Sequence, residues 1–209
     1  MAAYIIIAII AYAIGSVSFS VIFSKKIAGF DVREKGSGNA GSTNVLRTVG
    51  KKAAALTLVC DILKGIVAIL IAVIIGNIVN DIDKALLVQI ASIAVVIGHT
   101  FPIFFGFKGG NGVATSLGVL LLINWQIGLI CLVFALVIMA LTRMVSAGSV
   151  LAAVLFPVLT LFVGHDYYIV AGNYFIFSVI MALIVAFNHR TNISRILNGT
   201  ENKLSFKKK

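Results

Sequence analysis

Charge, proline and cysteine are all scarce in this chain. Only 11% of its 209 residues are Asp, Glu, Lys or Arg, and it holds two prolines and two cysteines. A soluble domain carries about 25% charged residues, so the polar surface of a water-soluble fold is missing. Acidic groups are the scarcest, seven against seventeen Lys and Arg. Cys60 and Cys131 both fall inside apolar runs. They read as buried small hydrophobes and offer neither a disulfide framework nor a metal site. There is no Walker A spacing, no GxSxG elbow, no HExxH and no HxxxxD acyltransferase signature. The net charge of +10 comes without aromatic-basic repeats, which argues against a nucleic-acid partner.

Hydrophobic residues make up 60% of the chain and lie in long runs. Such runs cannot hide in one soluble core, but a bilayer removes the need to hide them. The expected fold is an all-α integral membrane protein: a polytopic helical bundle of about seven transmembrane helices, some short or broken, forming one domain over residues 1–209. The spans run from about Ala2 to Phe23, Ala53 to Gly76, Ala85 to Phe105, Val113 to Ile123, Ile127 to Leu141, Ser146 to Val163 and Ile169 to Phe187. The fourth is too short to cross ~30 Å alone and reads as a half-crossing or a broken helix. The N-terminus is apolar from Ala2 without a basic n-region or a cleavage site, so it reads as a retained first span.

Cations set the orientation. Lys25, Lys26, Arg33, Lys35, Arg47, Lys51 and Lys52 lie between spans one and two. Lys108, Arg143 and the tail from Arg190 to Lys209 fall on the same side. The other side holds only Lys84, amid Asp81, Asp83 and Asp166. Excess Lys and Arg mark the cytoplasmic side, which puts the N-terminus outside and the C-terminus in the cytoplasm. Lys207–Lys209 reads as a solvated or lipid-contacting end.

Three polar segments on that side could carry chemistry. The first is Gly36-Ser37-Gly38-Asn39-Ala40-Gly41-Ser42-Thr43-Asn44, followed by Arg47. Its glycines let backbone approach a ligand, successive N–H groups can cradle an anion, and Arg47 brings a fork that fits phosphate. A plain flexible loop is the competing reading. The second is His99-Thr100-Phe101-Pro102, then Phe107-Lys108-Gly109-Gly110-Asn111-Gly112, just before a helix. A helix N-terminus suits phosphate; a tight interhelical turn is the alternative. The third runs from Asn188 through His189, Asn192 and Arg195 to Glu201. His189 there is a candidate base, phosphate donor or interfacial polar residue. Within span two, Thr57, Asp61 and Lys64 share one helix face; an Asp61–Lys64 pair offsets the cost of charge near mid-membrane and reads as structural, with a proton relay as the alternative. His165, on the outer side beside Asp166, reads as a loop polar residue.

Taken in order, Gly15-Ser16, Gly36 to Gly50, Asp61-Ile62-Leu63-Lys64-Gly65, Gly98 to Thr115 and His189 to Lys203 resemble the segments of the bacterial acyl-phosphate:glycerol-3-phosphate acyltransferase family. Each motif is weak alone; the ordered set is specific and covers almost the whole chain. The resemblance implies transfer of a fatty acyl group from acyl phosphate to the 1-hydroxyl of glycerol 3-phosphate. The products are lysophosphatidic acid and phosphate, and this is the first acylation of phospholipid synthesis. It implies a multi-pass protein of the bacterial cell membrane. It implies no cofactor and no metal, an upstream acyl-phosphate synthase, contact with membrane lipid, and a monomer or homodimer. By resemblance, Ser37, Arg47, His189 and Asn192 are the catalytic set. Gly36, Gly38, Asn39, Thr43, Asn44, Lys108, Gly109, Gly110, Asn111 and Gly112 bind phosphate, and Asp61, Lys64 and Glu201 are structural. Two departures stand out: Asn111 replaces a Lys frequent in the family, and Ser18 replaces a Pro frequent in span one. The competing function is a small secondary transporter for an organic anion, whose mark would be matching interruptions in two related halves. No such repeat is present.

Overall fold

The structure, a computed structural model, describes residues 1–163 and 169–204. His165, Asp166 and Lys207–Lys209 lie outside the described residues. Within them the protein is all-α, and no strand occurs. The helices are α1 (Ala2–Gly15), α2 (Phe19–Ala28), α3 (Ser42–Thr48), α4 (Lys51–Ile78), α5 (Lys84–Thr100), α6 (Val113–Ile123), α7 (Trp125–Thr142), α8 (Val145–Thr160), α9 (Phe175–Asn188) and α10 (Arg190–Leu197). Seven apolar segments recur where the sequence places them. Four are long and apolar enough to cross a membrane: Ala2–Ala28, Lys51–Ile78, Lys84–Phe105 and Trp125–Thr142. A fifth is the pair α9 and α10, bent by 66° at its junction, and α6 and α8 are shorter.

Two boundaries differ from the expected ones. The first span does not stop at Phe23. It breaks at Ser16–Ser18 and resumes as α2 to Ala28. The last begins at Phe175, not at Ile169, because Gly172 packs against Ala85 and the Asn173 side chain accepts from the Phe175 N–H at 2.9 Å. An apolar run interrupted by Gly-Asn is punctuated as a loop.

Hydrophobic side chains face both ways, as a bilayer permits. Val133, Leu136 and Val137 of α7 are about half exposed, whereas Ile127 and Cys131 of the same helix are buried. Helices apolar all round are membrane helices. Close packing comes from small residues, which let backbones approach. Gly15 of α1 lies on the Val95 carbonyl of α5, and Gly98 of α5 lies on the Tyr12 carbonyl of α1. Gly65 of α4 and Gly118 of α6 make the same reciprocal contact with the Thr115 and Ile62 carbonyls.

The break in the first span explains the lysine inside the second. Carbonyls freed by a helix break need a donor away from water. Lys64 Nζ supplies it, donating to Gly15 O and Val17 O, each at 2.9 Å, and lying 3.0 Å from Asp61 Oδ1. Thr57, Asp61 and Lys64 are all buried on one face of α4, as the spacing predicts. The starts of α4, α6 and α8 and the ends of α5 and α9 gather at one end of the bundle, and the three polar segments lie there.

Candidate functional site

Loop one, residues 36–44, is shaped from within. Gly36 and Gly38 have φ of +63° and +73°, a region costly for any residue with a Cβ. A Cβ on Gly36 would also strike the Asn44 side chain. Asn44 is buried, and its amide donates to the carbonyls of Val32, Lys35 and Asn39 at 2.9–3.0 Å while its Oδ1 accepts from Ser37 N at 3.0 Å. The Asn44 amide N–H groups, expected as phosphate donors, point to the Val32, Lys35 and Asn39 carbonyls. What the loop presents outward is different. Ser37 is exposed and Thr43 half-buried, and neither hydroxyl has a partner among the described residues. Arg47, in the last turn of α3, is exposed and has no partner among the described residues.

Loop two, residues 108–112, is stitched to loop one and to the end of α5. Gly109 N donates to Thr100 O at 3.0 Å and Gly110 N to His99 O at 3.1 Å. Ala40 N donates to Gly109 O at 3.2 Å, and Asn39 Nδ2 to Asn111 Oδ1 at 2.7 Å. Asn111, standing where a lysine is frequent, therefore ties the two loops by a neutral hydrogen bond. Asn111 accepts in this bond, so its amide N–H groups and the second N–H of Asn39 stay without a partner among the described residues. Gly112 starts α6 at φ +87°, with Val96 and Thr100 behind it. The Lys108 side chain is exposed and has no partner among the described residues.

Arg33 was counted only as a topology signal, and its role lay beyond that reading. It grips both Asp31 carboxylate oxygens, at 2.8 and 2.9 Å, and donates to the carbonyls of Phe105 at 2.5 Å and Lys108 at 3.1 Å. It is a clamp between the two loops. The Arg33 guanidinium holds the buried Asp31 carboxyl down to about 2, against the opposing effect of burial. The only sequence signal was the D-x-R spacing.

The third segment divides at His189. Asn188 Nδ2 donates to Thr100 Oγ1 at 3.1 Å and to Asn111 O at 3.4 Å, which joins the end of α9 to loop two. His189 is buried at the 66° bend, and its Nδ1–H donates to Val185 O at 2.8 Å. A carbonyl only accepts, so the neutral ring carries its lone pair on Nε2. Beyond the bend, Glu201 accepts from Ser146 Oγ at 2.9 Å, Asn192 Nδ2 at 2.8 Å and Arg195 Nε at 2.8 Å. Burial opposes the Glu201 charge, but these hydrogen bonds, Arg195 foremost, outweigh it and hold the carboxyl below its usual range. Leu204 N also donates to Arg143 O at 2.7 Å. The clasp on Glu201 takes one of the two Asn192 amide N–H groups.

His99 is a further residue whose role the sequence did not reveal. It is 6% exposed, its Nδ1 lies 3.5 Å from Asp61 Oδ1, and its ring faces Gly110. Two apolar grooves border α9 at this end. One, of about 100 Å³, runs between α6, α7, α8 and α9 from Val113 and Val185 to Phe156. The other, of about 330 Å³, lies between the ends of α5 and α9.

The comparisons with known proteins agree with one another. The sequence profile described as glycerol-3-phosphate acyltransferase matches residues 5–199. A glycerol-3-phosphate acyltransferase of Clostridioides difficile (strain 630) is 47% identical over 205 residues, covering 98% of this chain and 97% of that one. One of Thermoanaerobacter sp. (strain X514) is 44% identical over 203 residues, covering 97% and 96%. The crystal structure of PlsY (YgiH), an integral membrane glycerol 3-phosphate acyltransferase, superposes in its glycerol 3-phosphate form with a TM-score of 0.85. It is 36% identical, covering 97% of this chain and 96% of that one. Its lysophosphatidic acid form gives 0.82 at 34% identity, covering 97% and 95%. With the fold, the ordered motifs and relatives matched end to end in agreement, the chain belongs to the glycerol-3-phosphate acyltransferase family and is an all-α acyltransferase embedded in a membrane.

Proposed function

We propose that the protein transfers a fatty acyl group from acyl phosphate to the 1-hydroxyl of glycerol 3-phosphate at the cytoplasmic face of a bacterial cell membrane, releasing lysophosphatidic acid and phosphate. One observation carries the reading: both glycine-rich loops and the end of α9 are hydrogen-bonded into a single polar floor, flanked by apolar grooves. Both substrates are phosphates and one has a fatty chain. A polar floor next to an apolar groove suits that pair.

The unspent groups give the roles. Arg47, Lys108 and the Ser37 and Thr43 hydroxyls bind the phosphates, since they keep side-chain capacity for a ligand, as do the Ser42 hydroxyl and the Asn111 amide N–H groups. The acyl chain lies in the groove that begins at Val113 and Val185, next to His189. Acyl phosphate is a mixed anhydride with a good leaving group, so positioning and charge stabilisation supply most of the acceleration. The acceptor oxygen attacks the acyl carbon, its proton passes to His189 Nε2, and the carbon–oxygen bond to phosphate breaks. Nδ1, fixed on Val185 O, keeps Nε2 as the accepting nitrogen. A positive-inside orientation places this floor where both phosphorylated substrates are found.

The test is purified protein in detergent with acyl phosphate and glycerol 3-phosphate. Release of phosphate that needs both substrates and yields a lysophospholipid supports the reading. Phosphate that remains bound to carbon in both substrates, with exchange only across vesicles, would point to a transporter instead.

A further inference from the structure

A buried charged chain runs through the bundle to loop two, and the roles given above do not use its last member. Lys64 holds the carbonyls at the break in the first span, Asp61 lies 3.0 Å from Lys64, and His99 Nδ1 lies 3.5 Å from Asp61 on the other side. All three side chains are at most 6% exposed. Asp61 Oδ1 and His99 Nδ1 have no aligned hydrogen-bond partner among the described residues, so their 3.5 Å approach is an ion-pair distance that a small shift would turn into a hydrogen bond. Burying three ionisable groups in a membrane bundle is costly. Lys64 has its reason in the broken helix, and Asp61 in Lys64. His99 needs a reason of its own.

Its far edge supplies one. A Cβ built on Gly110 would overlap His99 Nε2 and come within 3.0 Å of Ala40 O. The Nε2–Cε1 edge of the imidazole therefore abuts the one loop-two residue whose neighbours bind loop one. The same residue also donates its N–H to His99 O. We propose that His99 is a positioning residue: Asp61 fixes its imidazole against Gly110, and that contact sets the shape in which loop two takes the acceptor's phosphate. This rests on the proposed function, with the glycerol 3-phosphate taken on loop two beside Lys108 and the acyl phosphate held by its chain in the groove at Val113. Besides Asp61 and Lys64 of α4, no titratable side chain among the described residues contacts the ring.

The imidazole and the missing Cβ compete for one space, so the test is a double variant. His99→Ala and Gly110→Ala should each raise the KM for glycerol 3-phosphate about ten- to a hundredfold, the usual cost of loosening a binding group's support. The kcat and the KM for acyl phosphate should stay within about twofold. In His99→Ala/Gly110→Ala the new methyl enters the space the ring has left. The double variant should then be no worse than His99→Ala alone. Multiplied losses, or a His99→Ala variant whose acceptor KM is unchanged, would overturn the proposal. If His99→Ala does not fold, His99→Gln with and without Gly110→Ala reads the same coupling, and an additive result there overturns it equally. Calorimetric binding of glycerol 3-phosphate to the wild type, without acyl donor, separates the two failures. No binding at all sinks the assignment of loop two, whereas binding with uncoupled variants sinks only the role of His99.

Discussion

The two halves of the site are built on opposite plans. In loops one and two, backbone, Asn44, Asn39 and Asn111 bond to one another, and Arg33 clamps them from outside. That leaves Ser37, Ser42, Thr43, Arg47, Lys108 and the Asn111 amide N–H groups without a side-chain partner among the described residues. Past the bend at His189 the polar side chains close on themselves: Asn192, Arg195 and Ser146 all converge on Glu201. On the proposed function the loops receive the ligand and the clasp holds the chain. Motif membership alone does not distinguish these uses; remaining hydrogen-bonding capacity does.

The largest effect should come at the residue between the halves. His189→Ala should lower kcat about 10²–10⁴-fold, the usual cost of losing a general base, with folded yield retained. A near-normal kcat across pH 6–9 would hand the proton to a substrate phosphate and leave His189 a positioning role. Next comes the open half. Arg47→Ala should lower kcat/KM by about 10–150-fold, the worth of a charge-assisted hydrogen bond, while Arg143→Ala, exposed at the end of α7, should change it by less than about twofold. Equal losses at matched folded yield would remove Arg47 from the site.

The closed half should respond in stability instead. Glu201→Gln keeps the shape but weakens three bonds, and about 1–3 kcal/mol of stability should go, read as a lower melting temperature in detergent. Turnover per folded molecule should hold within a few-fold; a stable variant without activity would move Glu201 into the chemistry. The smallest effect is with pH. Asp31 is held at about 2, below its unfolded value of about 4. Its contribution is complete above that unfolded value and is lost as pH falls from about 4 towards 2. Asp31→Asn should flatten the loss of melting temperature in that window and leave the neutral range without a pH slope of its own. An unchanged acid limb would mean that Arg33 does not depend on this carboxylate.

Much of the fold was legible because a membrane imposes long apolar runs, and runs can be read without neighbours. The boundaries that slipped are those set by tertiary contact. Nothing local to Ser16–Ser18 announces that Lys64, forty-odd residues on, will take the freed carbonyls. The Asp61–Lys64 pair was visible because both residues share one helix face. His99 was not, because its partner comes from another helix. In the site, residue types announced phosphate chemistry, but not which polar groups would be consumed in building the floor. Asn44 and Arg33 show the limit. One was taken for a donor and the other for a topology charge, and each turned out to be committed to carbonyls distant in the chain or across a turn.

The most direct measurement is calorimetric titration of glycerol 3-phosphate into purified Lys108→Ala and Glu201→Gln, at matched folded fraction. Lys108 is the unspent cation of loop two, and Glu201 is the centre of the closed clasp. The account predicts about a tenfold or greater loss of affinity for Lys108→Ala and near wild-type affinity for Glu201→Gln. Unchanged binding in Lys108→Ala with lost binding in Glu201→Gln would contradict it and exchange the roles of the two halves.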